Sequence, residues 1–330
     1  MKHFTDLHIT KTKSCSLIGI FLLISITILS LFIGKYPLAL EKLIAGDSLQ
    51  WRVFLTLRCS RTLVGCIGGF ALGITGFVYQ TVFRNSLASP DIIGVSSGAS
   101  AGAALGILFF SSAIAITFSA FTGAIISTIL SLALANMDKH GKSSTIVLSG
   151  IAVNSLAQTF LMYMKLTADP ERELASIEYW LMGSLSGISL YSLKTNLLLC
   201  VLGIIVLCYL HRQIVLLSTE ESEARMLGVP VNILRLIILF TATLIVASVI
   251  SLTGLISFVG LLAPHGARLL TKNNRLETMI LSGIIGGILL CASDILARSL
   301  TSTELPISIF TSLLGAPFLI FLVVRERRIS

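Results

Sequence analysis

The sequence predicts an all-α polytopic membrane protein with ten transmembrane helices, on three observations. Of its 330 residues 55% are hydrophobic and only 12% are charged, about half the charged share of an ordinary soluble domain. Leu, Ile, Val, Phe and Ala recur in runs of roughly twenty residues, the length that crosses about 30 Å of hydrocarbon. The alternating segments of about ten residues that mark a membrane barrel are missing, so backbone groups in lipid must be satisfied within helices.

The first span covers about residues 17–33, behind Lys11 and Lys13. The many spans after it favour a retained helix over a cleaved leader. The second covers about 62–83. The apolar tract 92–135 is twice the length of one span and must turn back once, near Ser111 and Ser112, giving helices three and four. Helix five covers about 145–164 and is followed by a polar stretch, 165–178. Helix six covers about 190–210. The polar run 211–232 contains Pro230, Glu220, Glu221 and Glu223, so it lies outside the bilayer in short surface helices. Helix seven begins near Leu234, and its long tract breaks at Ser251, Thr253 and Gly254 before a short helix eight. Helices nine and ten cover about 279–297 and 307–324. The whole chain, 1–330, is one membrane domain.

An even count puts both termini on one side. That side holds 15 of the 24 Lys and Arg residues and the other side nine, so the termini face the cytoplasm. The formal net charge of +8 therefore reflects membrane orientation and not nucleic-acid binding. Cys15, Cys59, Cys66, Cys200, Cys208 and Cys291 lie in or beside apolar runs without metal-ligand spacing, which makes them small hydrophobes. Glycines at intervals of four form ladders: Gly65, Gly69, Gly73; Gly94, Gly98, Gly102, Gly106; Gly283, Gly287. Such ladders let helices approach closely, so helices two, three and nine are expected inside the bundle.

His140, Gly141, Lys142 and Ser143 resemble the tail of a phosphate-binding loop, but Asn136 stands where its first glycine is needed. With no nucleotide site legible, an ATP-driven cycle requires a separate ATPase. No string of Asp, Glu or His runs along one helix as a proton relay would. Asp91, Asp294, His265 and Arg268 sit near helix ends, while Gln80, Asn85, Asn154 and Gln158 are the amides available to line a path. A coupled secondary transporter, expected to hold a buried carboxylate at a broken helix, fits less well. A purely structural membrane subunit is the remaining alternative.

Several motifs occur in order: Leu57, Arg58, Cys59, Ser60, Arg61; Gln80 and Phe83 to Pro90, then Gly94 and Gly98; Tyr179 to Ser184; Ala224 to Gly228. The longest runs from Gly254 to His265 with Arg268 following, and Asp294, Arg298, Glu304, Leu305, Pro306, Gly315, Ala316 and Pro317 close the series. Together they resemble the FecCD family, permeases of type II ABC importers for ferric siderophores, haem and cobalamin. Ser60 and Ser86 replace usual prolines. The resemblance implies the type II permease fold and a homodimer with its path at the dimer interface. It also implies alternating access, two copies of a cytoplasmic ABC ATPase and an extracytoplasmic binding protein. It places ATPase coupling at Arg84, Asn85, Glu223, Ala224, Leu227 and Gly228, within a cytoplasmic loop at about 213–232 for the last four. Binding-protein docking falls to Arg58 and Arg298. Path or gate candidates are Gln80, Gly94, Gly98, Asn154, Gln158, Pro264 and His265. The chain itself is not an enzyme and holds no cofactor or metal; ATP and Mg2+ belong to the ATPase. The preferred cargo is a ferric siderophore, with haem, cobalamin and molybdate as alternatives.

The charge bias predicts that residues 138–142, 211–232 and 271–275 face the cytoplasm and 165–178 face outward. In a cysteine-free variant, single cysteines in these loops should react with an impermeant thiol reagent only in 165–178; outward labelling at position 140 would break the topology.

Overall fold

The computed structural model describes all residues except 1, 37, 111, 138–142, 189, 220–225, 227–229, 302 and 327–330, and omits the side chains of 2–13, 40, 143, 190, 191, 322, 323, 325 and 326. Among the described residues the chain is helical without strands. We number the helices α1 Lys2–Phe32, α2 Leu40–Ile44, α3 Ser48–Val82, α4 Val95–Phe110, α5 Ala113–Asn136, α6 Ser143–Thr167 and α7 Glu173–Leu181. There follow α8 Leu190–Tyr209, α9 His211–Leu216, α10 Val231–Thr253, α11 Val259–Thr271, α12 Leu276–Ser299 and α13 Ile307–Glu326.

Seven of these, α1, α3, α5, α6, α8, α10 and α12, contain stretches long and apolar enough to cross a membrane unaided. Where the other three spans are expected, the helices are shorter. α4 has 16 residues, about 24 Å at 1.5 Å per residue; the apolar part of α13 is Ile307–Phe321; and α11 has 13 residues. The expected breaks hold: α4 ends at Phe110, α5 starts at Ala113, and α10 ends at Thr253 before Gly254 at φ +72°. The stretch 165–178, expected to face outward, is not one loop. Asp169 Oδ1 accepts from the backbone N–H groups of Glu171 and Arg172, and Glu173 Oε2 accepts from that of Asp169, making a tight corner into α7.

The second span differs most from expectation. It begins at Ser48 rather than near Thr62, because Ser60, unlike proline, keeps its N–H and lets the helix run through. Two wider π-type turns, Phe54–Cys59 and Val64–Gly68, interrupt it, and Ser60 Oγ donates to the Leu55 carbonyl five residues back (3.1 Å). Arg58 and Arg298 therefore lie within helices, not just beyond their ends.

α3 is the central helix, buried almost continuously from Ala71 to Val82. It packs against α10, α11 and α12, while α1 leans on α12, α4 and α5 form a hairpin covered by α6, and α8 lies on α10. The approach is backbone to backbone. A Cβ on Gly69 would fall 2.4 Å from the Gly286 carbonyl oxygen, and one on Gly73 only 2.1 Å from that of Ser282. Gly106 closes the α4 ladder against Ile116 of α5. Tyr79 and Thr243 add a buried hydroxyl pair (2.9 Å) between α3 and α10.

Gly73→Leu should lower stability by about 1–3 kcal/mol or more, read as a fall in the thermal midpoint of detergent-solubilised protein. Gly266→Ala, whose Cβ would meet only Ile285 Cδ1 at 3.7 Å, should leave the midpoint unchanged. Equal midpoints for both variants would show that the α3–α12 crossing tolerates expansion.

Candidate functional site

Three polar centres are stacked through this bundle. The first is at the end holding the α1–α2 connection and the α12–α13 loop. Arg61 Nε donates to Asp294 Oδ1 (2.6 Å) and its NH1 to Glu304 Oε2 (2.9 Å). Arg298, one turn beyond Asp294 on α12, places Nε 3.3 Å from Asp294 Oδ2 and donates NH2 to the carbonyl (2.7 Å) and hydroxyl (2.6 Å) of Ser30. The Ser30 hydroxyl also pairs with that of Thr62 (2.9 Å). Arg58 donates to the carbonyls of Ile33 (2.7 Å) and Tyr36 (2.9 Å). Gly34 makes that entry possible, since a Cβ there would sit 1.3 Å from Arg58 NH1. These groups wall a cavity of about 370 Å³ lined by Lys35, Arg58, Arg61, Arg298 and Glu304, with Leu185 to Ile188 opposite. Four cations face a single lining carboxylate.

The second centre is a cavity of about 460 Å³ bounded by α3, α4, α6, α10 and the segment 255–261. Asn154 and Gln158, one turn apart on α6, line it with Asp91, Ser96, Ser97, Ser100 and Ser257. Its wall includes Phe258, whose φ of +68° is a strained value for a bulky residue. Gly315 of α13 holds the Phe258 ring: a Cβ there would lie 2.4 Å from Phe258 Cγ. Ser308 Oγ donates to the Leu255 carbonyl (2.9 Å), tying the start of α13 to the same segment.

The third centre is at the opposite end. Gln80 donates Nε2 to the Leu261 carbonyl (3.1 Å), and its Oε1 accepts from Arg268 NH1. Arg268 also reaches Thr81 Oγ1 (3.1 Å) and Asn274 Oδ1 (2.8 Å), with its guanidinium 4.9 Å from the Phe77 ring centre. One side chain thus fastens α3, α11 and the turn after α11. Beside it, Arg84 at φ +50° and Asn85 form an exposed turn, in which Asn85 Oδ1 accepts from Leu87 N (2.9 Å).

Sequence-derived candidates separate accordingly. Asn154 and Gln158 meet in the central cavity, and Arg58 and Arg298 meet in the cationic one despite exposures of only 5% and 2%. Gly94 and Gly98 instead pack on α5: Gly94 accepts from Ser127 (2.7 Å), and Gly98 abuts Gly123. Gln80 belongs to the third centre, with Arg268. Pro264 is buried in α11, and His265 stacks edge-on against Phe318 of α13 (5.8 Å). Glu223, Ala224, Leu227 and Gly228 lie outside the described residues, as do His140 to Lys142. Reading the sequence missed Arg61 and Glu304 as site residues; Arg58 and Arg61 three apart, and Asp294 and Arg298 four apart, were the available helical signals.

Breaking the buried cluster tests its structural share. Asp294→Asn leaves Arg61 and Arg298 without their shared carboxylate and should destabilise by about 3–5 kcal/mol, seen as lost abundance and a lower thermal midpoint. Wild-type stability would mean that Asp294 contributes no net structure.

The sequence matches the FecCD transport family over residues 22–325. It is 37% identical over 275 residues to the cobalamin import system permease protein BtuC of Halobacterium salinarum, covering 83% of this chain and 73% of that one. Identity is 33% over 327 residues to the molybdate import system permease protein MolB of Haemophilus influenzae, covering 94% and 96%. A solved structure described as a metal-chelate type ABC transporter in an inward-facing conformation superposes with a TM-score of 0.83 at 31% identity, covering 96% of this chain and 99% of the other. With its motifs, its helices and its length in agreement, the chain belongs to the FecCD transport family of ABC importer permeases.

Proposed function

We propose that this chain is the membrane-spanning half-channel of a binding-protein-dependent importer, working as a homodimer of ten-span subunits in the cytoplasmic membrane with both termini inside. The end-to-end likeness to a metal-chelate type transporter carries the reading. Cargo passes along the dimer interface by alternating access, driven by two copies of a separate ATPase that uses ATP and Mg2+. α6 supports that placement, because it packs on α4 and α5 and leaves Leu148, Ile151, Met162 and Leu166 exposed. A face of this kind suits a second copy or lipid.

The cationic cavity suits docking of an acidic surface on the extracytoplasmic binding protein, since a guanidinium fork can engage a carboxylate through two bonds. At the other end, the turn at Arg84 and Asn85 and the loop carrying Glu223, Ala224, Leu227 and Gly228 receive the ATPase. The central cavity meets the cargo with the hydroxyls and amides of Ser96, Ser100, Asn154 and Gln158. Such a lining suits an oxygen-rich chelate, and a ferric siderophore is the preferred cargo. The relatives named for cobalamin and molybdate mark the alternatives.

Proteoliposomes holding permease, ATPase and binding protein should accumulate a radiolabelled ferric siderophore only with internal ATP and only when the ATPase is present. Ala224→Glu should abolish uptake while the protein remains in the membrane. Uptake without the ATPase, driven by an ion gradient, would overturn the importer reading.

A further inference from the structure

The cationic cavity holds its charges unequally. Arg61 is shared between two carboxylates: Asp294, whose side chain is 1% exposed, and Glu304, which is 30% exposed. Withdrawing Asp294 would strand two buried guanidinium groups, whereas Glu304 already reaches water and, among the described residues, pairs only with Arg61. Among the described residues, Arg58 Nε and Arg298 NH1 are buried without a hydrogen-bond partner. The cluster thus sets three guanidinium groups against two carboxylates, and one of those carboxylates is held at its water-facing edge.

We propose that Glu304 is a placeholder for a carboxylate of the docking protein, and that docking transfers Arg61 from Glu304 to the incoming group while Asp294 stays in place. The proposal rests on the docking role given above to this cavity. The incoming carboxylate reaches Arg61 along the wall shared with Lys35 and Arg58. Glu304, displaced, frees the connection between α12 and α13. That connection is short and tied at several points: Leu305 N donates to the Ala297 carbonyl (3.0 Å), Ile307 N to that of Gly183 (3.0 Å) and Ser308 N to that of Met182 (3.3 Å). Ser308 also holds Leu255, and Gly315, two turns further along the same face of α13, holds Phe258. A shift at Glu304 therefore arrives at the strained segment bordering the central cavity. The local ion pair acts as a latch that a partner's carboxylate opens.

The latch predicts a result opposite in sign to a docking contact or a structural support. With the permease–ATPase complex in nanodiscs and the purified binding protein encoded with it as probe, Glu304→Gln should bind about threefold to tenfold tighter at low salt, as expected for removal of a partly exposed competing ion pair. Its basal ATP hydrolysis should rise, and the stimulation by binding protein should shrink. Glu304→Asp keeps the cluster's charge but withdraws the carboxylate from Arg61, so it should show the same changes at smaller size and serves if the glutamine variant does not accumulate. Lys35→Glu, exposed at the rim, should bind more weakly than wild type. Weakened binding by Lys35→Glu with unchanged or weaker binding by the available Glu304 variant overturns the placeholder and leaves docking standing. Wild-type binding by Lys35→Glu removes the docking surface and the placeholder with it.

Discussion

The architecture depends on how closely the backbone of α3 approaches those of α12 and α11. In lipid, helices gain nothing by hiding Leu from water, so association relies on packing and on polar contacts between helices. Gly69 and Gly73 against Gly286 and Ser282, and Gly76 against Gly260, remove the side chains that would hold these axes apart. The contact fixes α3 as the axis, buried on nearly all sides, and leaves α1, α5, α6 and α8 to face outward with large apolar side chains. Two of the three polar centres are then built on α3: Arg58 and Arg61 at one end, Gln80 and Thr81 at the other.

Close packing alone leaves helices free to slide by a turn, and the buried charges restrict that freedom. Arg61 on α3 meets Asp294 on α12, and Arg298 on α12 meets Ser30 on α1. A slide of one residue would strand an ionised group at low dielectric, where a lost partner costs about 3–5 kcal/mol. The same reasoning applies at the far end, where Arg268 is held by two side-chain oxygens from α3 and by an aromatic face. Charge thus specifies register, while glycine permits contact.

Much of this was legible in the sequence because it is local. Apolar run lengths placed the breaks at Ser111 to Ser112 and at Gly254, and glycine spacing identified the inner helices. The start of α3 was not legible: Arg58 and Arg61 read as residues outside an apolar span. What lets them sit inside a helix is distant, namely the carbonyls of Ile33 and Tyr36 and the carboxylates of Asp294 and Glu304. Periodicity carries no record of partners on other elements, 22 and 25 residues away for Arg58 and 233 and 243 for Arg61. Phe258 was hidden for a related reason, since nothing in Ser257, Phe258, Val259 announces a left-handed backbone, which is stabilised by the notch at Gly315 on another helix.

The strained segment also explains how sites at opposite ends of a rigid bundle can influence one another. Residues 254–258 join α10 to α11 and border the central cavity. Their carbonyl at Leu255 is held from α13, while α11 carries Arg268 into the third centre with Gln80. A left-handed aromatic residue costs on the order of 1–3 kcal/mol and persists only where its surroundings enforce it. Any change that moves α13 away from Phe258 removes that enforcement, and the segment can then relax toward ordinary backbone values. Relaxation there would act on the first turn of α11, where Gln80 holds the Leu261 carbonyl and Gly260 abuts Gly76, while Arg268 ties the last turn to α3.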